Sequence, residues 1–143
     1  MMNFFFWQKW LFVLGLIVAL FGLALAFANH TPLFDFLFNN QIDPTFWPGS
    51  VPEEAAAFRR WVYGVLGATV SGWGVFIAFI AHYPFQRKEV WAWNCIAIGM
   101  TIWFVSDTAI SLYFGVGFNA MFNAALFFAA LLPLLFTRKH FAP

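Results

Sequence analysis

The amino-acid sequence predicts an all-α integral membrane protein, an up-down-up-down four-helix bundle with an extracytoplasmic cap segment. Three observations lead there. Only 9% of the 143 residues are charged and 63% are hydrophobic, against roughly 25% charged in a soluble domain. So few charges cannot cover a water-facing surface of this size. Four runs reach the roughly 20 apolar residues that a bilayer crossing requires: 10–28, 61–81, 90–115 and 118–137. Short links join the second run to the third and the third to the fourth, which makes those helices antiparallel neighbours. Without a repeat or a separating linker, residues 1–143 form a single transmembrane domain.

The first run, WLFVLGLIVALFGLALAFA, follows Lys9 and ends in Ala26-Phe27-Ala28, a cleavage-like triplet. Its length exceeds the 7–15 apolar residues of a signal core, so a retained helix is expected. The outer loop, 29–55, is the one sizeable polar segment, yet Leu33, Phe34, Phe36, Leu37 and Phe38 surround Asp35. That pattern predicts a short helix or turn capping the bundle, with Asp43-Pro44 and Pro48-Gly49 as turns. Ser50-Val-Pro-Glu53 reads as a capping box that starts the second helix near Val51. Glu53 and Glu54 then sit on the positive end of that helix, where acidic side chains are stabilising without any metal or substrate.

Basic residues near the ends of the runs set orientation. Lys9, Arg87, Lys88, Arg138 and Lys139 share one side, against Arg59 and Arg60 on the other, which puts both termini in the cytoplasm. Within the second run the small residues Gly64, Gly67, Ser71, Gly74 and Ala78 recur on one face, as helices packing closely in lipid require. Four residues earlier on that face stands Arg60.

Asp107 is the acidic residue that lies inside a long apolar run. Reflecting the second and third helices about Gln86 puts Arg60 about five residues from Asp107 in depth, roughly 7–8 Å at 1.5 Å per residue. Reflecting the third and fourth about Val116 brings Asn119 and Asn123 to the same level. Trp103, Asp107 and Ser111 form an i, i+4 row with Ser106 alongside. The expected cluster is therefore Arg60, Trp103, Ser106, Asp107, Ser111, Asn119 and Asn123. It serves either as a polar clamp, with Arg60 paired to Asp107, or as the wall of an outward-facing ligand pocket. Trp73 and Trp103, both mid-run, would pack in the core or floor such a pocket.

Other chemistries find little support. Net charge is +1, without the basic face that nucleic acid requires. Cys95 is the one cysteine, so cysteine-pair redox chemistry is excluded. His30, His82 and His140 lie at run ends or in the tail, away from where haem would sit. No metal is expected, no cofactor, and no nucleophile–histidine pair. The partners expected are membrane lipid, a small amphipathic ligand and a second copy of the chain.

The stretch from Tyr63 to Phe128 carries Gly67-Ala68, Gly72-Trp73-Gly74, Trp91-Ala92-Trp93, Trp103-Phe104, Ser106-Asp107-Thr108, Ser111, Asn119 and Asn123. In these it resembles a family of small four-span bacterial membrane proteins without assigned activity, and in layout alone it is similar to DoxX-like proteins. The resemblance implies a bacterial inner membrane. The leading functional expectation is binding of a small amphipathic molecule or lipid near Asp107. A structural or oligomerisation subunit is the alternative, and a proton-coupled small-molecule transporter stands third.

Overall fold

The computed structural model describes residues 3–141. Those residues are helical almost throughout and contain no strand. Helix α1, Phe4–Ala28, starts ahead of the first apolar run because Asn3 caps it, its side-chain oxygen accepting the Phe6 N–H at 3.0 Å. Where a short helix or turn is expected, segment α2 is three joined helical pieces, Pro32–Phe34, Asp35–Asn39 and Asn40–Phe46, the middle one a widened π-turn. Thr31 caps its start, with Pro32 at the first helical position. Asp43-Pro44 lies inside the last piece and is no turn.

Helix α3, Glu53–Ile80, continues as a π-turn over Ala81–Phe85. The expected capping box does not form: Pro52 occupies the cap position and no side chain caps the helix. A proline disfavours helical backbone in the residue before it, so Val51 cannot open the helix. Glu53 and Glu54 remain in the first turn. Helices α4, Val90–Tyr113, and α5, Gly117–Thr137, follow, the latter with a 3₁₀ turn at Arg138–His140. Four segments, Phe4–Ala28, Glu53–Phe85, Val90–Tyr113 and Gly117–His140, are long and apolar enough to cross a membrane.

The small face of α3 packs on α1, not on its sequence neighbour α4. A Cβ added to Gly74 would stand 2.7 Å from Ala19 Cα, and one on Gly67 2.8 Å from Ala26 Cα. Gly15 and Gly22 meet Ala78 and Ser71 in the same way. Gly15, Ala19, Gly22 and Ala26 of α1 thus oppose Gly67, Ser71, Gly74 and Ala78 of α3, backbone against backbone. This pair is the most extensive in the molecule, followed by α4 with α5. Between α3 and α4 backbone approaches are sparse, and the Trp73–Trp103 rings, 5.3 Å between centroids, bridge the gap.

Two backbone carbonyls near prolines are satisfied by distant side chains. Pro133 within α5 has no N–H for the carbonyl of Ala129. Trp10 Nε1 donates to that oxygen at 2.8 Å. Beside Pro84, where the ladder widens, Gln8 Nε2 donates to the Ala81 carbonyl at 3.0 Å. The two chain ends and this turn meet in one aromatic cluster: Phe4–Phe85 rings lie 5.9 Å apart and Phe85–Phe141 4.7 Å. The segment α2 meets the turn between α4 and α5, where Phe46 and Phe114 rings are 6.4 Å apart.

Two predictions follow from this packing. Gly74→Ala forces α1 and α3 apart and should lower stability by about 1–3 kcal/mol, the usual cost of overpacking. Gly72→Ala has open space around it and should leave the melting temperature in detergent unchanged or raised; equal losses in both variants would contradict the contact. At the start of α4 the half-exposed Glu89 carboxylate has its pKa held below the usual glutamate range. The Trp91 indole N–H, at 2.6 Å, is the first cause and the Arg87 side chain, also 2.6 Å, the second. With a lowered folded pKa, this anchor is fully present above the ordinary glutamate range and lost as pH falls through the lowered value. The Trp91 indole N–H resonance should shift over that acid window, and Glu89→Gln should abolish the shift.

Candidate functional site

The residues expected to cluster come together in part. Helix α4 ends in a Schellman motif: Gly115 is left-handed (φ 74°), the Val116 N–H reaches the Ser111 carbonyl at 2.8 Å, and the Gly115 N–H reaches Leu112 at 3.1 Å. This tight reversal lays the first turns of α5 against the last turns of α4. Asn119 and Asn123, one helical turn apart, then face Asp107. Each donates an amide N–H to Asp107 Oδ1 at 2.8 Å. The Ser111 hydroxyl adds a contact to the same oxygen at 3.1 Å and bonds the Asp107 carbonyl at 2.7 Å. Asn119 also donates to Ser111 Oγ at 2.8 Å, and Asn123 to Thr108 Oγ1 at 3.4 Å.

Arg60 does not join them. It is exposed, and its backbone carbonyl accepts from Asn29 Nδ2 at 3.3 Å. Its expected place relied on α3 lying close to α4; because α3 follows α1 instead, the arginine end of its small face stays outside the cluster. The neighbour Arg59 forms the ion pair of this region, with Asp43 of α2. Asp107 has no cationic partner among the described residues, only neutral donors. Ser106 is exposed on the far side of α4.

Asp107, Asn119 and Asn123 form one wall of a cavity of about 590 Å³, a size typical of small-molecule sites, roughly 300–1,000 Å³. The other walls are mostly apolar, with Tyr63 and Thr69 of α3 the polar side chains among them. Ile17, Phe21 and Leu25 of α1, Leu66 and Val70 of α3, and Phe122 and Leu126 of α5 line them. Trp73 and Trp103 lie at one end, and Phe34, Phe38 and Ile42 of α2 at the other. From Tyr63 to Trp73 the lining spans ten residues of α3, about 15 Å at helical rise. On the opposite flank of α4 a shallower groove of about 400 Å³ is formed by Ile102, Trp103, Ser106, Asp107 and Ile110. Trp103 and Asp107 belong to both spaces and separate them.

Sequence reasoning expects a short helix or turn capping the bundle here, but not that Phe34, Phe38 and Ile42, an i, i+4, i+8 row, line a cavity. The amides that hold this segment escaped that reading. Asn29 ends α1 by donating to the Leu25 carbonyl at 2.9 Å, and Asn39 Nδ2 bonds the Asn29 carbonyl at 3.1 Å and Asp35 Oδ1 at 2.6 Å. Asn29, Asn39 and Asp43 each keep one buried side-chain oxygen that accepts no hydrogen bond among the described residues. No group of three or more His, Cys, Asp or Glu side chains among the described residues is arranged to hold a metal.

Comparison of the chain with protein-family models, curated protein sequences and solved structures returned no significant match. The chemistry of the cavity is therefore read from its own residues.

The Arg59–Asp43 pair is mostly buried, its side chains 15% and 13% exposed. Removing one partner of such a pair leaves a charge uncompensated, a loss of about 3–5 kcal/mol in soluble proteins. Arg59→Met should therefore free α2, seen as faster amide hydrogen exchange at 35–46 with α3 to α5 protected as before. Unchanged exchange would mean that the aromatic contacts of α2 suffice without the ion pair.

Proposed function

We propose that this is a non-enzymatic integral membrane protein that binds a small amphipathic molecule or lipid in the cavity beside Asp107. In this reading the four long helices form an up-down-up-down bundle with both termini in the cytoplasm, in a bacterial inner membrane, and α2 caps the outer end. The meeting of the chain ends with the Ala81–Phe85 turn, and of α2 with the α4–α5 turn, supports that arrangement. The distribution of lysine and arginine supports the orientation.

One observation carries the binding reading: a 590 Å³ space with largely apolar walls has its carboxylate and amide groups gathered on a single side. Polar groups left unmet inside a membrane are costly, so a carboxylate oxygen there without a donor favours a partner from outside the chain. Here the three contacts converge on Oδ1. Oδ2 accepts none and is not sealed from the surface. It is available to a guest.

A second reading rests on that same convergence. Two of the three donors on that oxygen, Asn119 and Asn123, tie α4 to α5 and would fix helix register in a scaffold or oligomerisation subunit. Brominated single-chain detergent separates the two. It should quench tryptophan fluorescence saturably in the native chain, through Trp73 and Trp103, and Val70→Phe, which fills the cavity, should remove the saturable part with no loss of melting temperature. Quenching that rises linearly and equally in both proteins would overturn the binding reading and leave the scaffold.

A further inference from the structure

The cavity's polar wall has a definite hydrogen-bonding sense, and that sense selects the guest. The amides of Asn119 and Asn123 both present their nitrogens to Asp107 Oδ1, which accepts from them. Their carbonyl oxygens are thereby turned away from it. The Ser111 hydroxyl also spends its proton on Asp107. What remains for a guest on this wall is a set of acceptors: Asp107 Oδ2 and the side-chain oxygens of Asn119 and Asn123. The donors of the lining, the Tyr63 hydroxyl and the Trp73 and Trp103 indoles, belong to other residues around the cavity. None of the three oxygens accepts a hydrogen bond among the described residues, and none is sealed from the surface. The cavity lining contains no lysine, arginine or histidine.

A molecule arriving from a bilayer gains nothing from the apolar walls, since hydrocarbon already surrounds its chain and lipid tails are as apolar as leucine. Discrimination therefore falls to the head group. A carboxylate or phosphate head would meet three acceptor oxygens and a like charge. An alcohol offers one donor. A primary ammonium offers three donors and the complementary charge, and the rings of Trp73 and Trp103 beside it favour a cation further. The groove outside α4 shares Asp107 and Trp103 with the cavity, so the carboxylate can be approached from the side of the helix assembly.

Resting on the reading that the cavity holds an amphipath, we propose that its ligand class is the single-chain amphipathic amine, bound as the primary ammonium with its head on Asp107 Oδ2 and its chain between α1, α3 and α5. The site thus rejects fatty acids and anionic phospholipids.

The test uses the full chain in nanodiscs of zwitterionic lipid, with empty nanodiscs subtracted, titrated calorimetrically at neutral pH with dodecylammonium, dodecanol and dodecanoate. Dodecylammonium should bind saturably and about tenfold or more tighter than dodecanol, the factor expected of a charge-assisted hydrogen bond. Dodecanoate should show no saturable binding. Asp107→Asn keeps an oxygen for Asn119, Asn123 and Ser111 while turning the free position into a donor, so it should weaken dodecylammonium about tenfold or more at an unchanged melting temperature. Dodecanoate binding as tightly as dodecylammonium, or an Asp107→Asn chain that folds and keeps the ammonium preference, overturns the ligand class and leaves the cavity reading standing. Absence of saturable binding by all three overturns both. The probe series on the native chain decides the question without any variant.

Discussion

The architecture depends on the direct backbone contact between α1 and α3. Gly15, Gly22, Gly67 and Gly74 allow two helices to approach until added methyl groups would enter the opposing main chain. In lipid no hydrophobic force drives helices together, so close packing of small residues is what holds such a pair. Committing α3 to α1 has a second effect. The small face of α3 is used up, and α4 is held instead by α5. Between α3 and α4 lies space, bridged by a pair of tryptophan rings. Cavity and close contact are two outcomes of one choice of partner.

Within that space the polar groups are arranged by a turn. The Schellman ending of α4, with Gly115 left-handed, fixes where α5 begins and so where Asn119 and Asn123 point. The carboxylate is held by neutral amides and a hydroxyl, without an arginine to neutralise it. In the proposed reading, that charge is complemented by the guest, which is the physical link between this hydrogen-bond network and the proposed ammonium head group.

Much of the helical content was legible from apolar run length, which depends on a bilayer's thickness and little else. The convergence of Asp107, Ser111, Asn119 and Asn123 was legible too, because a short link and the helical period determine which residues share a depth. Arg60 misled because depth is not proximity. Reflection about Gln86 assumes that consecutive helices touch, whereas the matching row Gly15, Ala19, Gly22 and Ala26 offered α3 a better partner earlier in the chain. That row was visible in the sequence as small residues four and three apart. The helix in 32–46 was harder to read, since Asp43-Pro44 signals a turn locally and only the contacts of Phe34, Phe38 and Ile42 with the helices below override it. The opening of α3 at Glu53 shows the reverse: a strong cap motif at Ser50 lost to the backbone restriction of Pro52.

The buried oxygens of Asn29, Asn39 and Asp43 that find no donor have a kinetic meaning. Water reaching them would gain hydrogen bonds that the closed state withholds, so separation of α2 from the helices beneath it is partly self-compensating. A guest enclosed under Phe34, Phe38 and Ile42 would then exchange on the timescale of that lifting, and its residence time would lengthen with any change that supplies those oxygens with an internal N–H.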